Sequence, residues 1–286
     1  MDNIFLKDLT ESEKIRGVRY YLSFFASKIS PALSSKIAIK LLSNPKSRRK
    51  YDDRSIKKPK RHKIKTQLGS IVLHEFNANS KKQVLLSHGW ADSTNRFTHL
   101  INKLIENDYK VWSIDHIGHG RSDGDVAHLF GFIDGLEESI KYINRKSKSP
   151  ITNFIGHSMG ALALLNLDLK NSKLILISMP AYFFENMFQR IRQSGFSEAF
   201  LENTLNMVSK KYKKNWLNLS PQKNINKIGS NKTFVVHDKE DSVCSYKNLM
   251  KIIEKTKYDL LSTEGLGHLK VLKDNIVLAR IVEYIE

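Results

Sequence analysis

Short runs of apolar residues alternate along most of the chain with longer segments in which apolar residues recur every three or four positions. The short runs predict buried strands, and the longer segments predict amphipathic helices. The predicted strands lie at 84–86, 111–114, 151–155, 174–177, 233–236 and 260–261. The predicted helices lie at 97–105, 129–143, 249–253 and 276–285. Strands that alternate with helices predict an α/β fold with a parallel sheet covered by helices on both faces.

The pattern begins near Lys63 with two strands of another kind. Apolar and polar residues alternate from Ile64 to Leu73 on either side of Gly69. This alternation predicts two early antiparallel strands. We therefore expect a mostly parallel sheet, of the eight-stranded type, that starts with an antiparallel pair.

The first 62 residues differ from the rest. Apolar residues at 15, 18, 22, 25 and 29 form a helical stripe that ends at Pro31, and the spacing of Leu33, Ile37 and Leu41 predicts a second short helix. Thirteen Lys and Arg but only two Asp lie between positions 36 and 65. We predict that residues 1–62 form an N-terminal helical extension with a basic linker, and that residues 63–286 form the main domain.

Two interpretations of this extension remain open. In the first, the helices lie on an anionic membrane surface, with the basic run at 47–61 close behind them. In the second, the helices pack on the main domain and the basic run is a solvated linker. Nucleic-acid binding is not expected, because Tyr51 is the only aromatic residue among these basic residues and no binding motif accompanies it.

The alternation of strands and helices stops between Ser178 and about Ile228. The intervening residues are rich in aromatic and basic side chains, and the segment 199–211 has the clearest helical pattern. We predict a small helical cap at about 179–228, inserted where it would cover a site at the ends of the preceding strands.

Composition limits the class of protein. The chain has 286 residues, of which 41% are apolar, enough for one large domain with an inserted subdomain. Its net charge of +18 favours anionic partners, although a Lys- and Asn-rich composition produces basic proteins without any special partner. A single cysteine excludes an internal disulfide. Because there is no run of 18 apolar residues and no signal-peptide pattern, we expect a cytoplasmic protein, peripheral at the inner membrane surface under the first interpretation.

One stretch has the pattern of a catalytic nucleophile. The predicted strand 151–155 runs directly into Gly156-His157-Ser158-Met159-Gly160, and an apolar helix pattern follows. A strand that turns straight into a helix strains the serine backbone and pushes its hydroxyl out of the sheet. The flanking glycines remove side chains that would collide there. Ser158 is the predicted nucleophile.

A second motif follows another buried strand. In His88-Gly89-Trp90, the Trp90 N–H is placed to form half of an oxyanion hole, and the Met159 N–H would supply the other half. His268 follows the last predicted strand, where it is placed to take a proton from Ser158.

Three acidic residues follow the strand at 233–236, and one of them is expected to fix the tautomer of His268. Asp241 is the first candidate, because a residue inside the turn can reach sideways to a neighbouring loop. Asp238 is still held by the strand and is better placed to accept hydrogen bonds from backbone N–H groups of its own turn. Glu240 is the third candidate.

These motifs identify a resemblance. The order Ser158, acid, His268 is that of the α/β-hydrolase fold superfamily, which the chain resembles from about Lys63 to its end. The stretch 88–124 is similar to bacterial esterases and lysophospholipase-type hydrolases through its His-Gly-Trp, Arg-Phe and Asp-His-Ile-Gly-His-Gly-Arg-Ser segments. The resemblance implies Ser158 as nucleophile, Asp241 as acid and His268 as base.

We predict a serine hydrolase that cleaves a small-molecule carboxylic ester through an acyl-serine intermediate. The aromatic residues of the predicted cap favour an apolar acyl group. No cofactor is expected, and His116 and His119 form only a weak metal motif, since no carboxylate accompanies them. A thioesterase, a lysophospholipase and a cofactor-free perhydrolase remain alternatives with the same triad. An inactive protein of this fold that binds a membrane surface or a partner is the alternative of another class.

Overall fold

A computed structural model of the protein describes residues 17–45, 58–225, 232–254, 256 and 258–286. The predicted stripe residue Ile15 and the basic residues Arg48, Arg49 and Lys50 lie outside this described part.

The described residues form helices and strands that agree with most of the apolar pattern. The helices are α1 (Val18–Ile29), α2 (Pro31–Leu42), α3 (Thr98–Glu106), α4 (Leu129–Lys146), α5 (Met159–Leu165), α6 (Phe183–Gln193), α7 (Glu198–Tyr212), α8 (Pro221–Asn224), α9 (Tyr246–Ile253), α10 (Gly267–Lys270) and α11 (Asn275–Ile285). The strands are β1 (Lys60–Thr66), β2 (Gly69–Phe76), β3 (Lys82–Ser87), β4 (Tyr109–Asp115), β5 (Asn153–His157), β6 (Lys173–Ile177), β7 (Lys232–Asp238) and β8 (Asp259–Thr263). Within the insertion, α7 covers the segment with the clearest helical pattern, whereas α6 was not predicted.

The chain divides into two units. The first consists of the described residues of Met1–Asn44 and Tyr182–Lys223, and the second of those of Pro45–Ala181 and Asn224–Glu286. The N-terminal helices therefore share a unit with the inserted helices, whereas the sequence pattern assigns them to separate segments.

An eight-stranded sheet forms the centre of the second unit. Its strands lie in the order β1-β2-β4-β3-β5-β6-β7-β8. The pairs β1–β2 and β2–β4 are antiparallel, and all other neighbours are parallel. The structure confirms the predicted mostly parallel sheet with an antiparallel start.

Each face of this sheet has its own helices. The apolar side chains of α3 and α11 share one buried cluster with Phe76, Val84 and Leu86. Ile71 points to the other face, because it lies an odd number of positions from Phe76 on β2. There α4 packs over it, since a Cβ built on Gly135 would lie 3.4 Å from Ile71 Cδ1. The predicted helices on both faces are confirmed.

In the first unit, α7 contacts both α1 and α2. The Ser197 N–H donates to Ser23 Oγ at 2.9 Å, and Asn203 Nδ2 donates to Ser27 O at 3.0 Å. The hydroxyls of Ser27 and Ser34 lie 3.1 Å apart and join α1 to α2. Serine hydrogen bonds thus hold the two N-terminal helices in place.

The buried face of α1 and α2 is small and polar, and their apolar stripe faces outward. The buried residues are Ser23, Ser27, Ser34, Ser35 and Ala38. The large apolar residues that are exposed are Val18, Tyr21, Leu22, Phe25, Ile29, Leu33, Ile37 and Leu41. An amphipathic helix that packs on a core has the opposite orientation.

Candidate active site

The carboxyl ends of four parallel strands carry the candidate residues. Residues 88–90 follow β3, Ser158 follows β5, Asp241 follows β7 and His268 follows β8. Parallel strands place their carboxyl ends at one edge of a sheet, where the sites of open α/β folds form. The topology therefore brings these four segments to the same edge.

Ser158 lies in a strained turn. Its φ is +53° and its ψ is −120°, values that residues with a side chain rarely adopt. Its N–H donates to Ile177 O at 2.9 Å, which ties the turn to the end of β6. A Cβ on Gly156 would lie 2.6 Å from the backbone of α5, and one on Gly160 would collide with Ser87 O. Side chains at the two glycine positions would therefore prevent this turn.

The loop after β3 lies directly against the serine. A Cβ on Gly89 would lie 2.9 Å from Ser158 Cβ, so this close approach requires glycine. Trp90 follows the point of contact on the loop, and Met159 follows Ser158 at the start of α5. Their backbone N–H groups belong to the two segments that meet at the serine.

His268 and Asp241 are joined by a hydrogen bond. His268 Nδ1–H donates to Asp241 Oδ2 at 2.8 Å. The Asp241 side chain is fully buried, and that of His268 is 12% exposed. Asp241 Oδ1 accepts the N–H groups of Val243 at 2.9 Å and Cys244 at 2.8 Å. With Nδ1 as the donor, Nε2 of the neutral imidazole is free to accept a proton.

The pKa of Asp241 is below its ordinary value of 3.8. Burial raises this pKa, but the hydrogen bond from His268 and those from the backbone N–H groups of Cys244 and Val243 together outweigh burial. The carboxylate is therefore charged at neutral pH and holds His268 in one tautomer.

Asp238 has a different set of partners. Its Oδ1 accepts the Glu240 N–H at 3.0 Å, and its Oδ2 accepts the Thr263 hydroxyl at 2.7 Å and the Leu266 N–H at 3.1 Å. Asp238 thus ties the end of β7 to the loop that leads to His268. The third candidate acid, Glu240, is exposed.

His157 makes a contact that the sequence pattern does not predict. Its Nε2–H donates to His268 O at 2.9 Å, and the two ring centroids are 4.7 Å apart. Burial lowers the pKa of His157 to about 3, so the ring is neutral. The residue before the serine thereby fixes the peptide of the candidate base. The only signal in the sequence is its position next to Ser158.

Histidines also brace the loop after β3. His88 Nε2 accepts the His116 N–H at 3.1 Å, and His119 Nε2 accepts the Ala91 N–H at 3.0 Å. His119 Nδ1–H donates to Ile117 O at 2.9 Å. These bonds join the turn after β4 to the loop that contacts Ser158, so these rings have a structural use.

Four buried histidines predict a fall in stability in weak acid. Burial lowers the pKa of the histidines at 88, 116, 157 and 237 below 6.5. Below pH 6.5 the unfolded chain binds protons that the native state does not, so stability is lost as the pH falls. Each such histidine contributes about 1.4 kcal/mol per pH unit until its native pKa is reached.

Urea unfolding at pH 7.5, 6.5 and 5.5 measures this slope, above the range in which carboxylates titrate. His157→Gln keeps a donor for His268 O and removes one titrating group. The free energy of unfolding of this variant should therefore change less with pH, by the contribution of one histidine. A free energy of unfolding that stays constant between pH 7.5 and 5.5 would contradict the prediction.

Comparison with known proteins identifies the family of this chain. Residues 78–262, more than half of the chain, match the family model described as serine aminopeptidase, S33. Human monoglyceride lipase is 30% identical over 90 residues, which cover 30% of this chain and 29% of that protein. A monoacylglycerol lipase from Mycolicibacterium smegmatis is 31% identical over 80 residues, which cover 27% of this chain and 29% of that protein. The chain thus spans about a third of the length of these relatives.

Among solved structures, an esterase from Pyrococcus furiosus has a TM-score of 0.62 at 19% identity, with 85% of this chain and 96% of that chain covered. This likeness shows the fold, which is that of the α/β-hydrolases. The fold, the strained serine at the end of β5 and the family match agree, and the chain belongs to the S33 family of serine hydrolases.

Proposed function

We propose that this protein hydrolyses carboxylic esters, with Ser158 as nucleophile, His268 as general base and Asp241 as the acid that orients it. The observation that carries this proposal is the 2.8 Å hydrogen bond between His268 and the buried Asp241. It lies at the same edge of the sheet as the strained Ser158, so one edge holds all three groups that acyl transfer requires.

In the proposed reaction, Ser158 Oγ attacks the ester carbonyl carbon and His268 Nε2 takes the hydroxyl proton. The N–H groups of Trp90 and Met159 donate to the oxygen that becomes negative in the tetrahedral intermediate. Collapse of the intermediate breaks the bond to the alcohol, which leaves with the proton from His268. Water then attacks the acyl-serine in the same way and releases the acid.

The electrostatics of Asp241 suit this role. Its lowered pKa keeps a negative charge 2.8 Å from His268 Nδ1 at neutral pH. That charge stabilises the imidazolium that forms when His268 takes the proton, and it does so without itself binding a proton.

We propose a monoacylglycerol-like ester as the substrate class, because relatives are named monoglyceride lipase and monoacylglycerol lipase. The aromatic residues of the insertion are weak support for an apolar acyl group, because several of them pack on one another. Phe184 and Phe188 pack on Trp216 with ring centroids 5.1 Å and 5.9 Å away, and all three are buried in the first unit. They form a core there, so the apolar acyl group is proposed from the relatives.

A fluorophosphonate probe and a substrate panel test the proposal. We expect covalent labelling of the wild-type protein and hydrolysis of nitrophenyl esters and monoacylglycerols of varied acyl length. Aminoacyl nitroanilides test the peptidase activity that the family description suggests. A protein that is labelled and hydrolyses nitroanilides but not esters would overturn the ester proposal. A protein that is not labelled would support the alternative of an inactive protein of this fold.

We also propose that the basic N-terminal segment makes a peripheral contact with anionic membranes. We expect the combined Arg48→Glu, Arg49→Glu and Lys50→Glu variant to bind anionic vesicles at least about a hundredfold more weakly at low salt. Each cation near such a surface contributes about 1 kcal/mol, and reversal also adds repulsion. Vesicle co-sedimentation measures the change, and hydrolysis of a soluble ester is the control that should not change. Co-sedimentation unaffected by the three reversals would leave the solvated-linker interpretation.

A further inference from the structure

The outer surface of the two N-terminal helices is apolar to an unusual degree. Among the large apolar side chains that are exposed in the described part of the chain, eight of twelve lie on α1 and α2, with exposures of 47% to 83%. We call these eight the outer stripe: Val18, Tyr21, Leu22, Phe25, Ile29, Leu33, Ile37 and Leu41. So large an exposed apolar set on two adjoining helices marks an interaction site.

The outward orientation of the stripe is fixed by hydrogen bonds on the opposite side of α1. Ser23 Oγ accepts the Ser197 N–H and donates to Tyr20 O at 2.9 Å. Ser27 Oγ donates to Ser23 O at 2.6 Å. A rotation of α1 that buried the stripe would break the bond to Ser197 and expose the contact with Ser34. These hydrogen bonds therefore keep the apolar side of the helices exposed.

The charged residues of the two helices are all positive. Residues 18–42 contain no Asp or Glu, and their cations, Arg19, Lys28, Lys36 and Lys40, are exposed. Lys28 Nζ lies 5.8 Å from the centroid of the Phe24 ring, so its stem follows an aromatic surface while its charge stays at the edge. An apolar face bordered by Lys and Arg is typical of helices that lie in a lipid interface.

This charge pattern favours lipid over a second copy of the chain. Two copies joined through the outer stripe would bring four cations of one copy toward the same four of the other, in a chain with a net charge of +18. An anionic bilayer offers acyl chains to the stripe and phosphate groups to the cations. The charges thus oppose self-association and suit a lipid surface.

The length of the helices decides how they would lie. Each has 12 residues, or about 18 Å, which is short of the roughly 30 Å hydrocarbon core of a bilayer. Within the described residues, no helix is both long and apolar enough to span a membrane. These helices would therefore rest in the plane of the interface.

We infer that the outer stripe inserts into the interfacial layer of an anionic lipid bilayer, with the cations of α1 and α2 paired to its phosphate groups. This inference goes beyond the proposed hydrolysis and does not depend on it. It adds an apolar contact to the proposed electrostatic contact of the basic run, so membrane binding has a part that salt does not remove.

Vesicle partitioning tests the apolar part. The test variant is Leu22→Gln with Ile29→Gln, and the matched control is Leu260→Gln with Ile276→Gln, which changes two exposed apolar residues of the second unit. In phosphatidylcholine vesicles with phosphatidylglycerol, we expect the test variant to partition about tenfold or more weakly than wild type, since each buried apolar side chain multiplies the partition coefficient several-fold. The control should partition as wild type does.

Salt separates the two contributions. In 1 M NaCl, where charges are screened within about 3 Å, wild type should retain weak partitioning and the test variant should lose it. Equal partitioning of the test variant and wild type would overturn the inference, as would wild type that does not bind these vesicles at low salt.

A fluorescent label gives a second, independent measurement. The only cysteine, Cys244, is buried, so a nitrobenzoxadiazole label can be directed to Phe25→Cys, with Ile276→Cys as the matched control. Vesicles should raise and blue-shift the emission at position 25 and leave that at position 276 unchanged. An unchanged emission at position 25 would overturn the inference.

Two further outcomes are distinguishable. A dimer that forms without vesicles and is dissociated by the Leu22 and Ile29 substitutions would assign the outer stripe to a second copy and overturn the inference.

Hydrolysis of a soluble ester, measured in parallel, should be the same in all these variants. Vesicle binding by a wild-type protein without esterase activity would support the lipid contact while the proposed hydrolysis fails.

Discussion

Ser158→Ala is expected to lower kcat for ester hydrolysis by about a millionfold, to a level supported only by binding and backbone donors. Removal of the hydroxyl removes the atom that would form the acyl-enzyme, so the first step of the proposed reaction cannot occur. The melting temperature should stay close to that of wild type, because alanine keeps the same Cβ in the same turn and the serine is only half-buried.

The matched control for this prediction is Ser178→Ala. Ser178 follows the neighbouring strand β6 and has a φ of +49°, close to the +53° of Ser158. The two variants therefore make the same chemical change in similar backbone settings. Stopped-flow or continuous assays of a nitrophenyl ester, with fluorophosphonate labelling, should show loss of both signals in Ser158→Ala and retention in Ser178→Ala. Turnover near the wild-type rate in Ser158→Ala would end the assignment of the nucleophile.

Asp241→Asn is expected to lower kcat by about ten-thousandfold. Asn at this position can still accept the N–H groups of Val243 and Cys244 through its carbonyl oxygen. Its amide group would then face His268 Nδ1 and would favour the tautomer that carries its proton on Nε2. In that tautomer His268 cannot take the proton of Ser158. Because the substitution preserves size and the backbone contacts, the melting temperature should change little.

Asp238→Asn is the control for this prediction, and it should give the opposite pattern. Asp238 is buried, and although burial raises its pKa, hydrogen bonds from Thr263 and from the backbone N–H groups of residues 267, 240 and 266 lower it below 3.8. Loss of the charge weakens these bonds, for a loss of about 1–3 kcal/mol of stability. Most of the rate should remain, since Asp238 orients a loop rather than the imidazole itself.

Kinetics and thermal melts of the two variants separate these roles. A ten-thousandfold rate loss in Asp238→Asn with a stable Asp241→Asn enzyme of near wild-type rate would transfer the role of the acid to Asp238. Equal large losses in both would indicate that the position of the loop before His268 matters as much as the tautomer.

The apolar pattern determined the α/β sheet and most of the helices, and the Gly-x-Ser-x-Gly motif after a predicted strand determined the turn at Ser158. Most of these features depend on interactions between neighbours in the sequence. Strand and helix periodicities are local, and so is the collision with α5 that requires Gly156. The collision that requires Gly160 is with Ser87 O on β3, a contact between distant segments. The choice between Asp238 and Asp241 as the candidate acid could also be argued from the sequence, because the reach of each side chain depends on its position in one turn.

Contacts between distant segments could be found only in the tertiary structure. The bond from His157 to His268 O joins residues that are 111 positions apart, and the bond from the Ser197 N–H to Ser23 joins residues 174 positions apart. An amphipathic pattern shows that a helix has two unlike faces, but it does not show which face finds a partner. For α1 and α2 the partner is α7. The N–H of its N-cap residue Ser197 donates to the Ser23 hydroxyl, Asn203 donates to the Ser27 carbonyl oxygen, and the apolar residues stay outside. The apolar stripe could be predicted from the sequence. Its outward orientation depends on hydrogen bonds to residues far away in the chain, which only the tertiary structure shows.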